Sequence, residues 1–164
     1  MYTVSRLRLT WMLPVFGFAV LLATACGGDD DSDPTGPPQS DTTLTFSLDG
    51  GRTFTAATAN ITSAAGRLLI IASNGPNESM GLGFELRTGT QASGTGGTAT
   101  ASYVLIGTGS WAAGPNLAAS SGSLTLTTAT ANHVVGTFNF TLVSTAVSTP
   151  PTRQMTSGII DIRY

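Results

Sequence analysis

From residue 42 onward the chain repeats one pattern: apolar side chains at every second position, interrupted by Gly, Asn, Asp or Pro. Met80, Leu82, Phe84 and Leu86 fall on one side of such a segment, and Gly81, Gly83, Glu85 and Arg87 on the other. A strand turns its side chains alternately to opposite faces, whereas a helix gathers them every three to four residues, so this spacing selects half-buried strands. Leu44, Phe46 and Leu48 repeat the pattern, Asp49-Gly50-Gly51 supplies a turn, and Arg52 to Ala56 returns as the second arm of a hairpin. The run Leu68-Leu69-Ile70-Ile71 within Arg67 to Ser73 predicts a strand buried on both faces, stopped by Asn74-Gly75-Pro76-Asn77. Further strands are expected around Tyr103, at Leu124 and Leu126, from Val134 to Leu142, and at Ile160 to Tyr164. Residues 88–97, 109–121 and 144–152 read as loops. About eight strands with no helical period between them predict an all-β domain over residues 42–164, an antiparallel β-sandwich or partly closed barrel. In its last strand Ile160 and Ile162 should face the core, with Asp161 and Arg163 outside.

Composition agrees with this and narrows the function. Threonine is abundant, lysine is absent, and only 10% of residues are charged. Threonine's branched Cβ suits a pleated surface and loses rotamer freedom in a helix. Arg6 and Arg8 precede residue 26; beyond it five arginines face nine acids. Such a balance offers no clustered positive surface, so nucleic acid is not an expected partner.

The N-terminus reads as an address. Arg6 and Arg8 precede the uncharged apolar run 11–23. That run is too short for a spanning helix, which needs about 20 residues, and has the form of a secretory signal peptide. It ends in Leu22-Ala23-Thr24-Ala25 followed by Cys26, the single cysteine. This segment resembles the lipobox of bacterial lipoproteins, with Ala23 where that family prefers Leu. The resemblance implies cleavage before Cys26, joining of its thiol to a diacylglycerol, and a lipid anchor of acyl (palmitate-type) chains in the membrane. Residues 1–25 would be the signal peptide, and 26–41 a flexible acidic and Pro-containing linker, disordered because it has too little apolar surface to offset its ordering entropy. Asp29, Asp31 and Asp33 alternate as in a calcium loop, but Pro34 and Ser40 stand where that loop requires Gly and Glu, which excludes it. Cysteine followed closely by acids is similar to the export signal of surface lipoproteins in Bacteroidota-like bacteria, and Gly27 in place of Asp removes the enterobacterial retention signal. The expected location is the cell envelope, at the outer membrane, with surface exposure as an extension.

The folded part carries a second resemblance. Phe46-Ser47-Leu48-Asp49-Gly50-Gly51, the segment Ser121 to Thr127, Gly136-Thr137-Phe138-Asn139-Phe140, and Ser157 to Ile162 follow one another as in Bacteroidota-type lipoprotein domains of unknown function. The resemblance implies a β-sandwich and transfers no catalytic residue.

Signs of chemistry are few. His133 is the single histidine, so a His-rich metal site is excluded, and no metal or cofactor is expected. Glu85 and Asp161 could face each other as a glycosidase pair, or pair with Arg87 and Arg163. Gly94-Thr95-Gly96-Gly97 lacks the Lys and the helix of a phosphate loop. Trp111, in a Gly/Ala-rich segment, and Tyr103 before it are the candidate ligand contacts: an exposed Trp there could stack on a sugar, whereas a buried one would cap the core. Three readings follow. The first is a non-catalytic envelope lipoprotein acting as an interaction or structural module, with an envelope protein or glycan as partner. The second is a carbohydrate- or ligand-binding lipoprotein using the Trp111 loop. The third is a hydrolase using Glu85, Asp161 or His133.

Overall fold

The computed structural model describes residues 42–146 and 151–164; the expected signal peptide, the linker and Cys26 lie outside the described residues. Eleven strands are present: β1 (Thr42–Leu48), β2 (Arg52–Thr55), β3 (Thr58–Ala64), β4 (Arg67–Ser73), β5 (Glu78–Glu85), β6 (Gly89–Ser93), β7 (Thr100–Leu105), β8 (Gly109–Ala113), β9 (Ser121–Ala129), β10 (His133–Ser144) and β11 (Thr152–Arg163). The domain is all-β, and the strand pairings are antiparallel, along the path β2-β1-β11-β10-β8-β7-β5-β4-β3.

The long strand β10 forks this sheet. One of its edges pairs with β11. Along the other, Val134 to Thr141 pair with β9, and Val143 and Ser144 pair with β8. A second branch, β10-β9-β6, therefore leaves the same strand. The result is a half-barrel or sandwich whose inner faces meet around Phe46 of β1. Its ring stacks on Phe54 at 4.8 Å and meets the edge of Tyr103 from β7 at 6.2 Å. Aromatic rings prefer such offset and edge-on contacts because their faces are negative and their edges positive.

Alternation is strict where the apolar pattern predicted it. Leu44, Phe46 and Leu48, then Met80, Leu82 and Phe84, then Phe138, Phe140 and Leu142, all point inward. Ile160 and Ile162 are fully buried, while Ile159 is 48% exposed. Beside them β11 bulges. Ser157 adopts φ 53°, its amide donates to Asn139 Oδ1 at 3.0 Å, and Gly158 lies under the Phe138 ring, where a Cβ would come within 2.4 Å.

Two expectations need correction. The strand Arg67–Ser73 is not buried on both faces: Leu68, Ile70 and Ala72 are buried, but Leu69 and Ile71 are 46% and 53% exposed. β4 lies next to the edge strand β3 on a sheet with one covered face, so every second side chain meets solvent. The strand count is also higher than expected, because β3, β6 and β8 lack an apolar alternation long enough to see. β6 runs through the presumed loop 88–97 and buries Gln91 instead of an apolar residue. The Gln91 amide bonds like a stretch of backbone, accepting from the Glu85 amide at 2.8 Å and donating to the Glu85 carbonyl at 2.7 Å. β8 is Gly-Ser-Trp-Ala-Ala, in which Trp111 and Ala113 face inward.

Ile160→Ala should lower unfolding stability by about 2–5 kcal/mol, the usual result of deleting a buried branched side chain. Ile159→Ala, one residue away but turned outward, should stay within about 0.5 kcal/mol. Urea denaturation of the two variants checks the register, and equal losses would contradict it.

Candidate functional site

The turns β1–β2, β4–β5 and β7–β8, the end of β10 and the start of β11 gather at one end of the sandwich, as the registers Leu48↔Met155, Ser79↔Val104 and Ser144↔Trp111 require. The strand ends there bring charged and polar groups to the edge of the core. Their inward positions carry Arg52 on β2, Glu78 on β5, Tyr103 on β7, Trp111 on β8 and Arg153 on β11. Each shares its parity with a buried apolar neighbour two residues away: Phe54, Met80, Ala101, Ala113 and Met155.

Glu78 is the hub. It is 4% exposed, and burial of an unpaired carboxylate is costly, so its oxygens must be bonded. Tyr103 donates its hydroxyl to Glu78 Oε1 at 2.5 Å. Arg52 donates to Oε2 at 2.9 Å, and the Asn74 side chain to the same oxygen at 3.1 Å. The main chain adds an Asn74 amide bond to the Glu78 carbonyl at 2.9 Å. The Tyr103 ring lies 6.0 Å from that of Trp111, and the Arg153 guanidinium sits 4.9 Å from the Trp111 centroid. Arg153 in turn pairs with Asp49 in the β1–β2 turn, whose other carboxylate oxygen accepts the Gln154 amide at 2.9 Å. Partial burial opposes ionisation of Asp49, but the Gln154 amide and Arg153 outweigh it and hold its carboxyl below the ordinary value of 3.8.

The structure thus brings Tyr103 and Trp111 together, but inside. Tyr103 is fully buried and Trp111 is 5% exposed, in a strand rather than the expected loop. Neither ring offers an open face on which a sugar could stack. The Trp111 Nε1–H finds no acceptor among the described residues.

The carboxylates weighed as catalytic residues are engaged elsewhere. Glu85 pairs with Arg87 at 2.6 Å, as expected. Asp161 pairs with His133 at 2.8 Å rather than with Arg163. His133 begins β10 opposite Arg163, which places its ring diagonally beside Asp161 on the outer face. β5 and β11, which carry Glu85 and Asp161, are not sheet neighbours. Among the described residues each of the four carboxylates, Asp49, Glu78, Glu85 and Asp161, already has a basic partner, and no hydroxyl bonds the His133 ring. No group of three metal-ligating side chains occurs among them. Cys26 is outside the described residues.

A groove of about 370 Å³ opens on the outer face, between Leu69 and Ile71 on one side and Pro115 to Leu117 on the other. Its floor is Gly81 and Gly83, where a Cβ would come 2.6 Å from Ser102 Oγ and 2.5 Å from Thr100 Oγ1. No titratable side chain lines it.

Sequence reasoning missed Glu78, Arg52, Asn74, Asp49 and Arg153. The signal was present for one of them: extending the alternation Met80, Leu82, Phe84 back by one step places Glu78 inward.

Burial, and then the Glu78 carboxylate, push the Tyr103 hydroxyl up to about 12 from an ordinary 10.0. A raised value means the fold favours the neutral phenol. Its stabilisation is therefore complete below pH 10 and is lost as pH rises toward the folded value. Absorbance titration should find Tyr103 resistant to ionisation until the protein unfolds, and Tyr103→Phe should lessen the alkaline loss of stability. Ionisation of Tyr103 near pH 10 with the fold intact would contradict the buried bond.

Comparison with curated proteins and with solved structures found no match to either. A family model does match, over residues 45–161, from the second half of β1 to the last residues of β11. It covers most of the described sheet and the whole Glu78 network. The chain belongs to the family described as domain of unknown function DUF6252.

Proposed function

We propose that the chain is an envelope lipoprotein whose β-domain is a non-catalytic interaction or structural module, held to a membrane by acyl chains on Cys26. The observation that carries the non-catalytic part is the state of its titratable groups. The described carboxylates are each paired, and the groove that is open to a partner is lined by neutral side chains. A general acid or base must be free to reach substrate, and the pairing of each described carboxylate supports the non-catalytic reading. The anchor is supported by the sequence, where a short apolar run and small residues lead into the single cysteine. Acyl burial contributes about 0.8 kcal/mol per CH₂, so a diacylglyceryl group with a further chain holds a protein on a bilayer firmly. The outer membrane is the proposed location, with an envelope protein or glycan as the partner.

Fractionation of cells expressing the wild type and Cys26→Ser tests the anchor. The wild type should sediment with membranes and the variant should be released. Mass spectrometry of the mature wild type should find an acylated residue 26 at its N-terminus. An unmodified Cys26, or a variant that stays in the membrane fraction, would overturn the reading. Protease added to intact cells separates surface display from a periplasm-facing domain.

A further inference from the structure

The path of the sheet ends in three places: β2, β3 and β6. A terminal strand exposes unpaired amides and carbonyls, and proteins blunt such edges with short length, charge, proline, bulges or a covering segment. β2 is only four residues long and carries Arg52. β6 is five residues long, and its Ala92 carbonyl is capped by the Thr98 and Ala99 amides, both at 3.0 Å. Among the described residues β3 has none of these protections. It is seven residues long, Thr58-Ala59-Asn60-Ile61-Thr62-Ser63-Ala64, without charge or proline. Its register with β4 runs unbroken from Thr58↔Ser73 to Ala64↔Arg67. Its other edge pairs with nothing among the described residues.

We propose that β3 is a homodimerisation edge, pairing antiparallel with β3 of a second copy about a two-fold axis through Ile61. The sequence of the strand favours this occupant, because it is self-complementary about its centre. Pairing Ile61 with its own copy sets Asn60 against Thr62 and Ala59 against Ser63. Outward-facing residues then meet outward-facing polar ones, and inward-facing residues meet inward-facing small ones. Ile61 lies opposite the buried Ile70, so it faces the core side, yet it is only half covered at this edge. The second Ile61 would cover it. No charged residue lies on either strand, so the two copies bring no like charges together. An isologous contact of this kind uses both edges and closes at two. Seven paired residues form a small interface, below the roughly 1,200 Å² of a stable complex, so the association is weak and is best trapped covalently.

The test uses the full chain in detergent with Cys26→Ser, which makes any introduced thiol the single one and frees the result from the lipid-anchor reading. Opposed residues in an antiparallel pair have Cα atoms about 4.5–5.5 Å apart, within the span of a disulfide. Ile61→Cys should form a disulfide dimer under mild oxidation at least tenfold faster than Thr55→Cys, an exposed position on β2. Adding Asn60→Lys and Thr62→Lys, both at exposed positions, should abolish that advantage while circular dichroism and the unfolding midpoint show the fold retained. Equal rates at the two sites, indifference to the lysines, or a folded Ile61→Cys chain that does not cross-link would each overturn the proposal. The last outcome includes the case in which residues 1–41 of the same chain cover β3.

Discussion

A carboxylate can sit among aromatic rings only if hydrogen bonds replace the water it gives up. Glu78 meets that condition through Tyr103, Arg52 and Asn74, and the consequence reaches well beyond one side chain. Arg52 lies on β2 and Glu78 on β5, strands far apart along the sheet path that the fold brings together. The same end of the core continues through Trp111 and Arg153 to Asp49 in the first turn. Apolar packing holds the middle of the domain, and a bonded polar network closes one end.

The carboxylates of the described part show the same economy: Asp49, Glu78, Glu85 and Asp161 each pair with a basic side chain across or along strands, while Arg67 donates to the Thr98 carbonyl. A buried pair contributes little net stability against an apolar replacement, yet removing one member leaves the other stranded. Much of the surface left over is threonine, serine, glycine and the exposed side chains of Leu69 and Ile71. Such a surface supports the proposed reading of the domain as an interaction or structural module.

Legibility followed the period-two signal closely. The β1–β2 hairpin, β5, β10 and the buried positions Ile160 and Ile162 could be read from alternation alone, because each strand has one covered face and one wet one. The reading failed where strands are built from residues too small or too polar to show a face. β6 buries Gln91, β8 hides Trp111 among Gly, Ser and Ala, and β3 has a single large apolar residue. The four apolar residues from Leu68 to Ile71 misled in the opposite sense, since composition cannot reveal that a strand stands next to an edge. Tyr103 and Trp111 were singled out as aromatics, but their burial depends on pairings between β7, β8 and β10 that no local pattern encodes. Glu78 was legible by parity. Its charged partner was not, because Arg52 reaches it only after the layers close, whereas Asn74 bonds it locally within the β4–β5 turn.

The closing network is tested most directly by a double-mutant cycle on its central bond, with Glu78→Gln, Tyr103→Phe and the double variant compared by urea unfolding at neutral pH. A hydrogen-bonded pair buried at this point should show a coupling of about 0.5–3 kcal/mol, so that the double variant loses less than the sum of the single losses. Losses that add to within about 0.3 kcal/mol would mean the two side chains act independently, and that the end of the core is held by packing alone.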